Sequence, residues 1–456
     1  MGTINPSFNL SQILSAFSSS QGINVQAAVA AAIQAESGPL NQLENEQAAL
    51  QSQQGDINVI QTNVQSLQTA INALTDPAGQ LMSMTTSSSN QSIVTASASP
   101  GAQAGNHVVV VNNVATTGSW YSDSVASGDT QLADGGFTLQ VGTNAPVQVN
   151  YGPDGSAGTL NDLATYINGL DAGVTANVVN DSTGARLSIV SNSSGAASDV
   201  SITNETGLNF TRATTGADAS LTVDGIPIDS ASNTVAGVVS GVTFNLVSAA
   251  PGQQVNVAVA VDTSQASSAV QNFVNAFNAV IGDVNQEYTV AANGAQGPLA
   301  GDSALSILQD IMLGSGSYTS DGTGGITTLA DLGITMNDDG TLSVDSGTLA
   351  TALQSNFAGV QNFFQGTNAN GFGNSFNTQL NTMTDPTSGA FTVDLQSLSN
   401  ENSDLQDQIN NWEQYLQDQT TILTNEYNQA DALLQQLPIE EQRIAAELGQ
   451  NSGSGS

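Results

Sequence analysis

Between Leu395 and Leu437 the side chains Leu398, Asn402, Leu405, Ile409, Trp412, Leu416, Gln419, Leu423, Tyr427, Ala430, Leu434 and Leu437 follow one another by alternate steps of four and three, with one extra step of four at Tyr427. That spacing predicts a long helix with a coiled-coil seam and a single stutter. A helix of this kind cannot bury its stripe unaided, so it requires a partner of similar length. The other run of comparable length and period lies near residues 40–74, with Leu40, Leu43, Gln47, Leu50, Gln54 and Ile57 followed by Ile60, Val64, Leu67, Ile71 and Leu74. The two ends of the chain are therefore expected to pack together. A third helix from Thr263, with Phe273, Val274, Phe277, Val280, Ile281 and Val284 on one broad face, is expected to join them.

The middle of the chain changes period from helical to two. "SIVTASAS", "NHVVVVNNVAT", "FTLQVG", "PVQVNYG", "VTANVVND", "ARLSIVSN" and "DVSIT" read as strands, with a short helix in "TLNDLATYINGL" behind a capping Thr159. "NETGLNFTRATTGAD" reads as a linker, after which "LTVDGIPID", "VSGVTFNLV" and "QQVNVAVAVD" resume the strands. "LADLGITMNDDGTLSVD" reads as strand, Asp-Gly turn, strand, and "SGTLATALQSNFAGVQNFFQG" as one helix. Because long helices flank everything else, the fold class expected is α+β and multidomain: a terminal coiled-coil or helical-bundle leg with two nested, mostly antiparallel β domains inserted. The boundaries expected are a mobile segment with a short helix at 1–38, a leg at 39–79 and 263–437, a β domain at 80–118 and 216–262, an inserted β-rich domain at 119–215, and a flexible tail at 438–456.

Charge narrows the function. The chain carries 39 acidic residues against three basic ones, Arg186, Arg212 and Arg443, and no lysine. Nucleic-acid binding needs phosphate neutralisation by Lys and Arg and is not expected; nor is a P-loop. No apolar run reaches the ~18 residues of a membrane span, so no membrane insertion is expected, and a Sec-type signal lacks both its basic and its apolar part. Cysteine is absent, which removes disulfides, thiolate metal sites and cysteine nucleophiles. With ordinary carboxyl pKa values of ~4, such a chain approaches neutrality in acid, as suits an acidic exterior; a compositional bias of the lineage explains the same numbers.

No catalytic, cofactor or metal site is expected. His107, the single histidine, reads as a plain strand position rather than the centre of a triad. Asp338, Asp339 and Gly340 lack the spacing of a calcium loop and read as a hairpin turn, as does Asp154–Gly155. Trp412 reads as seam packing. Trp120 and Tyr121, at the edge of the inner insert, are the candidates for an exposed contact.

The order of these pieces resembles a known family. "GINVQAAVAAAIQAESGPLNQLENEQ", "TSSSNQSIVTASASPGAQAGNHVVVVNNVA", "TLNDLATYINGLDAGVTANVVNDSTGARLSIVSN", "LTVDGIPIDSASNTVAGVVSGVTFNLV", "AVQNFVNAFNAVI", "LADLGITMNDDGTLSVD" and "ILTNEYNQADALLQQL" stand in the sequence of the bacterial flagellar filament-cap proteins, the flagellar hook-associated protein 2 family. The resemblance implies a non-enzymatic ring of subunits at the distal filament tip, promoting the folding and insertion of exported flagellin. It also implies contacts with flagellin, the hook–filament junction protein and an export chaperone, and a route out of the cell through the flagellar type III channel. The chaperone contact is expected near Leu434, Leu437, Ile444 and Leu448. Members usually carry basic residues in the helix that here reads "ESGPLNQLENEQ", so charge pairing between leg and flagellin is in doubt for this chain. An alternative class is a secreted adhesin or carbohydrate-binding surface protein.

Overall fold

The structure is a computed structural model that describes residues 24–153, 157–291, 294–321, 324–367 and 369–451, with side chains as far as Glu447. The expected mobile stretch at residues 1–22 and the Asp154–Gly155 turn lie outside the described residues.

In chain order the elements are α1 (Val25–Glu36), α2 (Gly38–Thr75), β1 (Met84–Ser88), β2 (Val94–Ala98), β3 (Gly105–Asn113), β4 (Ser119–Ser122), β5 (Gly135–Val141), β6 (Val147–Tyr151), α3 (Leu160–Asn168), β7 (Val174–Asp181) and β8 (Gly184–Ser191). They continue with β9 (Val200–Thr206), β10 (Phe210–Thr214), β11 (Ala219–Val223), β12 (Ile226–Ser230), β13 (Thr234–Val239), β14 (Val242–Leu246) and β15 (Val255–Val261). The last are α4 (Thr263–Tyr288), α5 (Ser303–Ser315), β16 (Ile334–Met336), β17 (Leu342–Val344), α6 (Ser346–Ser355), α7 (Phe357–Gln365), α8 (Phe372–Thr384) and α9 (Ala390–Asn451). They form two compact units, one built from residues up to Ile71, Asn272–Thr348 and Asn362 onward, the other from Asn72–Gln271 and Leu349–Gln361.

The β unit holds two separate cores. The first comes from a five-stranded sheet of order β1-β15-β3-β11-β12 and a three-stranded sheet of order β13-β14-β2. Their inward side chains, among them Val109, Val111, Leu221, Phe244 and Val257, are fully buried. The second comes from sheets of order β10-β4-β8-β7 and β6-β5-β9, closed by α3, whose Leu160, Leu163 and Ile167 meet Phe137, Leu187 and Ile189. All neighbouring strand pairs are antiparallel, including the hairpin β7–β8 that runs from Val174↔Ser191 to Asp181↔Gly184. Thr159 caps α3 by accepting from Asp162 N while Asp162 returns a bond to the cap.

Residues 204–218 do not form the linker read from their polarity. Phe210–Thr214 pair with β4, because Phe210 buries itself in the second core and Arg212 lies over the Trp120 ring. Polar composition hid a strand whose single large apolar residue is enough to seat it.

The helical unit is centred on aromatic rings. Phe273 and Phe277 of α4 meet Phe372 and Phe376 of α8, and Phe363 of α7 stacks on Phe372 at 5.5 Å between centroids. Tyr318 packs edge-on against Phe363 and Phe372. Hydrogen bonds tie the surrounding helices in register: Asn63 to Asp283 between α2 and α4, Gln68 to Asn381 between α2 and α8, and Gln47 to Gln406 between α2 and α9. The two chain ends thus meet as the seam periodicity predicts. Ile57, Ile60, Val64, Leu67 and Ile71 of α2 are buried, whereas Leu43, Gln47 and Leu50 are half-exposed.

Several readings are corrected. α9 begins at Ala390 and runs through Pro438 to Asn451, where a flexible tail was expected. Proline removes one backbone donor and crowds the carbonyl four residues back, but Leu, Gln, Glu and Ala on either side are strong helix formers. Leu329–Leu332 is a 3₁₀ turn rather than part of a strand, set by the capping box of Thr328 with Asp331. Gly333 follows it at φ +74°, a left-handed conformation that glycine adopts without strain. The single helix expected over 346–366 is two, α6 and α7, broken at Asn356, whose side chain accepts from Gly359 N. α8, which the periodicity did not announce, supplies four buried residues at helical spacing: Phe372, Phe376, Leu380 and Met383.

Phe372 touches more rings than any of its neighbours, so Phe372→Ala should destabilise the helical unit by about 3–5 kcal/mol. Thermal unfolding followed by circular dichroism at the helical band checks this; a loss below about 1 kcal/mol would remove the aromatic cluster from the centre of the unit.

Candidate partner-binding surfaces

Trp120 and Tyr121 sit on β4, an inner strand between β10 and β8. Alternation sends them to opposite faces. Trp120 turns inward against the second core, its indole N–H donates to the Val200 carbonyl at 2.7 Å, and the Arg212 guanidinium covers its ring at 4.9 Å. Arg212 in turn bonds Asp199 at 2.8 Å and the Val200 carbonyl at 3.2 Å. The Trp120 ring is thus committed to internal partners. Tyr121 is 37% exposed on the outer face, with the Arg186 guanidinium 5.8 Å from its ring. Arg186 is itself held by Asp181 at 2.8 Å and by the Ser122 carbonyl. The Thr183 hydroxyl and then Arg186 hold the Asp181 carboxyl far below the usual carboxylate range.

The second candidate surface is the far part of α9. Its side chains are buried at Leu405, Ile409 and Leu416, half-buried through Leu423, Tyr427 and Ala430, and open beyond. Leu434, Leu437 and Ile444 are 45%, 56% and 54% exposed, and Leu433 and Ile439 are exposed beside them. The side chain of Leu448 lies outside the described residues. The spacing 423, 427, 430, 434, 437 continues to 444, so the exposed residues prolong the same seam past Pro438. A stripe of this kind, unpaired on a helix rich in Gln and Glu, is suited to another amphipathic helix. Arg443, the third basic residue, is exposed within it.

One contact escaped the sequence reading. α1 lies along the middle of α9, where Val25, Val29, Ala30 and Ile33 face Thr420, Thr424 and Asn428 across a groove of about 490 Å³. Asn24 caps α1 by accepting from Ala27 N, and Ala28 and Val29 are buried. The steps from Val25 to Val29 to Ile33 were the available signal.

Other candidates resolve into structure. His107 Nδ1 is 2.8 Å from Asp224 Oδ2, and Asp224 Oδ1 accepts from Val108 N, an arrangement that holds the Asp224 carboxyl below its usual range. The Phe244 ring stands edge-on to the imidazole. Asp339 accepts from the Thr341 amide and hydroxyl across the β16–β17 turn, with Gly340 at φ +81°. Trp412 is half-buried and packs edge-on with Tyr415. Among the described residues no three His, Asp or Glu side chains stand together to hold a metal ion, and no helix is long and apolar enough to cross a membrane.

Comparison with known proteins gives these surfaces a context. Residues 21–118 match the family model of the flagellar hook-associated protein 2 N-terminus, and residues 216–438 that of its C-terminus. The B-type flagellar hook-associated protein 2 of Pseudomonas aeruginosa is 30% identical over 336 residues, 66% of this chain and 70% of that protein. The flagellar hook-associated protein 2 of Escherichia coli (strain K12) is 25% identical over 372 residues, 74% of this chain and 77% of that protein. In fold, the chain is similar to the D1-D2-D3 domains of the flagellar cap protein FliD from Escherichia coli, with a TM-score of 0.61 and 24% identity over 75% of this chain and 99% of that one. The adhesin or carbohydrate-binding alternative finds no support among these relatives. With both family models in chain order, and a relative covered over more than two thirds of its length, the chain belongs to the flagellar hook-associated protein 2 family.

Proposed function

We propose that this chain forms, as an oligomeric ring, the cap at the distal tip of the bacterial flagellar filament, where it promotes folding and insertion of exported flagellin without catalysing a reaction. The observation that carries the reading is the division of the chain. The two family matches bracket residues 119–215, and helices from both ends come together as α2 and α9. On this reading residues 39–79 and 263–437 are the leg, 80–118 with 216–262 the β domain, and 119–215 its insert. The leg has no basic residue except Arg443 beyond it, so its contacts with flagellin rest on amide hydrogen bonds and apolar seam positions. Complementation of a strain without its own cap tests the function: filaments should grow, and secreted monomeric flagellin without filaments would overturn it.

The chain travels through the flagellar type III channel and meets its export chaperone near Leu434, Leu437, Ile444 and Leu448, the first three of which lie on the open stripe of α9. The hook–filament junction protein is a further partner. Each leucine buried by a partner contributes about 1.5–3 kcal/mol, and 1.4 kcal/mol is tenfold in affinity. Replacing Leu434 and Leu437 together with Ala should weaken the chaperone complex by roughly 100- to 10,000-fold, measured by calorimetry, while the melting temperature of the free chain stays put, since both residues are exposed.

Proteolysis gives an independent readout. Arg186 and Arg212 lie within paired strands, whereas Arg443 stands open on α9. Trypsin should therefore cut the folded chain first after Arg443, and bound chaperone should slow that cut; an unchanged rate would move the chaperone contact elsewhere.

A further inference from the structure

Two carboxyl groups of packed helices, one at the start of α5 and one near the start of α9, act on each other in the helical unit, with no cation beside them among the described residues. Asp302 caps α5, its Oδ1 accepting from Ala304 N at 2.7 Å and Leu305 N at 3.1 Å. Asp394 lies near the start of α9, and its Oδ2 is buried with no hydrogen-bond partner. The side chain acting on Asp394 is Asp302. Burial first, and the Asp302 charge second, push the Asp394 carboxyl above its usual range. An orphaned buried oxygen of this kind is destabilising, and the cost disappears if the carboxyl is protonated and donates to its neighbour.

The surroundings offer no other counterion. α8, packed beside α9, carries no titratable side chain, α5 adds only Asp310, and α2 and α4 bring further acids, Asp56, Asp283 and the buried Glu287, which accepts from Leu299 N. Asp385, just ahead of α9, accepts from Thr387 N and Ser388 N. Arg186 and Arg212 are bound to Asp181 and Asp199 in the β unit. Arg443 is on α9 itself, 49 residues on, on the order of 70 Å away at the rise of a helix.

We propose that Asp302 and Asp394 form a proton-operated clasp. In acid the proton on Asp394 is donated to the Asp302 carboxylate and ties the first turns of α9 to the start of α5. As pH rises the proton leaves to solvent, two like charges are left in contact, and the junction loosens. A carboxyl whose pKa is higher in the folded than in the unfolded chain adds stability that is complete below the unfolded value and is lost as pH rises through the folded value. Asp331, Asp345 and Asp385 in the same unit have the opposite sign. Hydrogen bonds, chiefly from backbone amides, hold their carboxyls low, so their stability is present at neutral pH and is lost as pH falls through the depressed values. The clasp therefore closes at a higher pH than the one at which these turns fail.

The test is thermal unfolding of the full chain at pH 7 and pH 4 as wild type, Asp394→Asn and Asp302→Asn. An Asn at 394 stands in for the neutral carboxyl at every pH, and an Asn at 302 keeps the helix cap. At pH 7 each variant should melt about 2–4 °C above wild type, and at pH 4 the difference should close. An offset that is the same at both pH values, or variants that melt lower at pH 7, would overturn the clasp. Should Asp394→Asn fail to fold, a ¹³C carboxyl titration of wild type against Asp302→Asn decides the matter. Asp394 should titrate above free Asp in wild type and move down in the variant, and an ordinary or unmoved titration would refute the proposal.

Discussion

Burial of one face of α4 is the interaction on which the helical unit depends. Phe273 and Phe277 meet rings of α8, about a hundred residues later in the chain, while Val280, Ile281 and Val284 continue the buried face. Loop closure over that separation adds only slowly to the entropy cost, whereas each fully buried aromatic contributes a few kcal/mol. The surplus is what allows a core assembled from distant segments. Once α8 is seated, the turn at Asp385 and the buried Phe391 set where α9 starts, and the Gln47–Gln406 bond fixes its register against α2.

Along α9 the packing fades while the helix persists. Its seam is buried at Leu405, Ile409 and Leu416 and open at Leu434 and Leu437, yet the helix is unbroken. Since packing contributes least in the last third, local terms must hold it. On most exposed helices these are Glu–Lys pairs four residues apart; a chain without lysine uses amides. Gln406 bonds Asn410, Gln414 bonds Asp418, and Gln435 bonds Asp431, each one turn away. Such pairs are worth a few tenths of a kcal/mol each, a stabilisation insensitive to salt when both partners are neutral. A helix sustained in this way remains helical without a partner and keeps its apolar stripe available to one.

Where periodicity was strong, the fold was legible in the sequence. The seams of α2 and α9, the face of α4, the β7–β8 hairpin and the capped α3 follow from spacing and cap chemistry alone. What stayed hidden shares one physical cause: a few residues outvoted their neighbours. Phe210 and Arg212 turned a polar stretch into a strand, Asn356 split a helix, and helix formers on both sides carried α9 across Pro438. For the candidate surfaces, the spacing placed Leu434 and Leu437 on a packed seam, and their exposure is visible only in the structure. Trp120 was misjudged as an exposed contact because nothing in its neighbourhood of sequence announces Arg212 and the Val200 carbonyl, which are brought to it only by sheet pairing. Asp394 was invisible for the same reason, since its neighbour Asp302 is remote in sequence.

The scarcity of cations ties these features together. Arg186 and Arg212 are both used where β strands cross aromatic rings and Arg443 lies at the far end of α9, so the carboxylates of the turns and caps in the helical unit are satisfied by donors other than a basic side chain. Backbone amides at turns serve Asp331, Asp339, Asp345 and Asp385, and those groups become stronger acids as a result. Where the amides are already taken, as at Asp302, whose cap oxygen accepts two of them, a second carboxyl brought alongside has no donor left. The smallest available cation is then the proton. Lowering the pH thus acts on the helical unit with two signs, strengthening the junction between α5 and α9 before it weakens the Asp-stabilised turns.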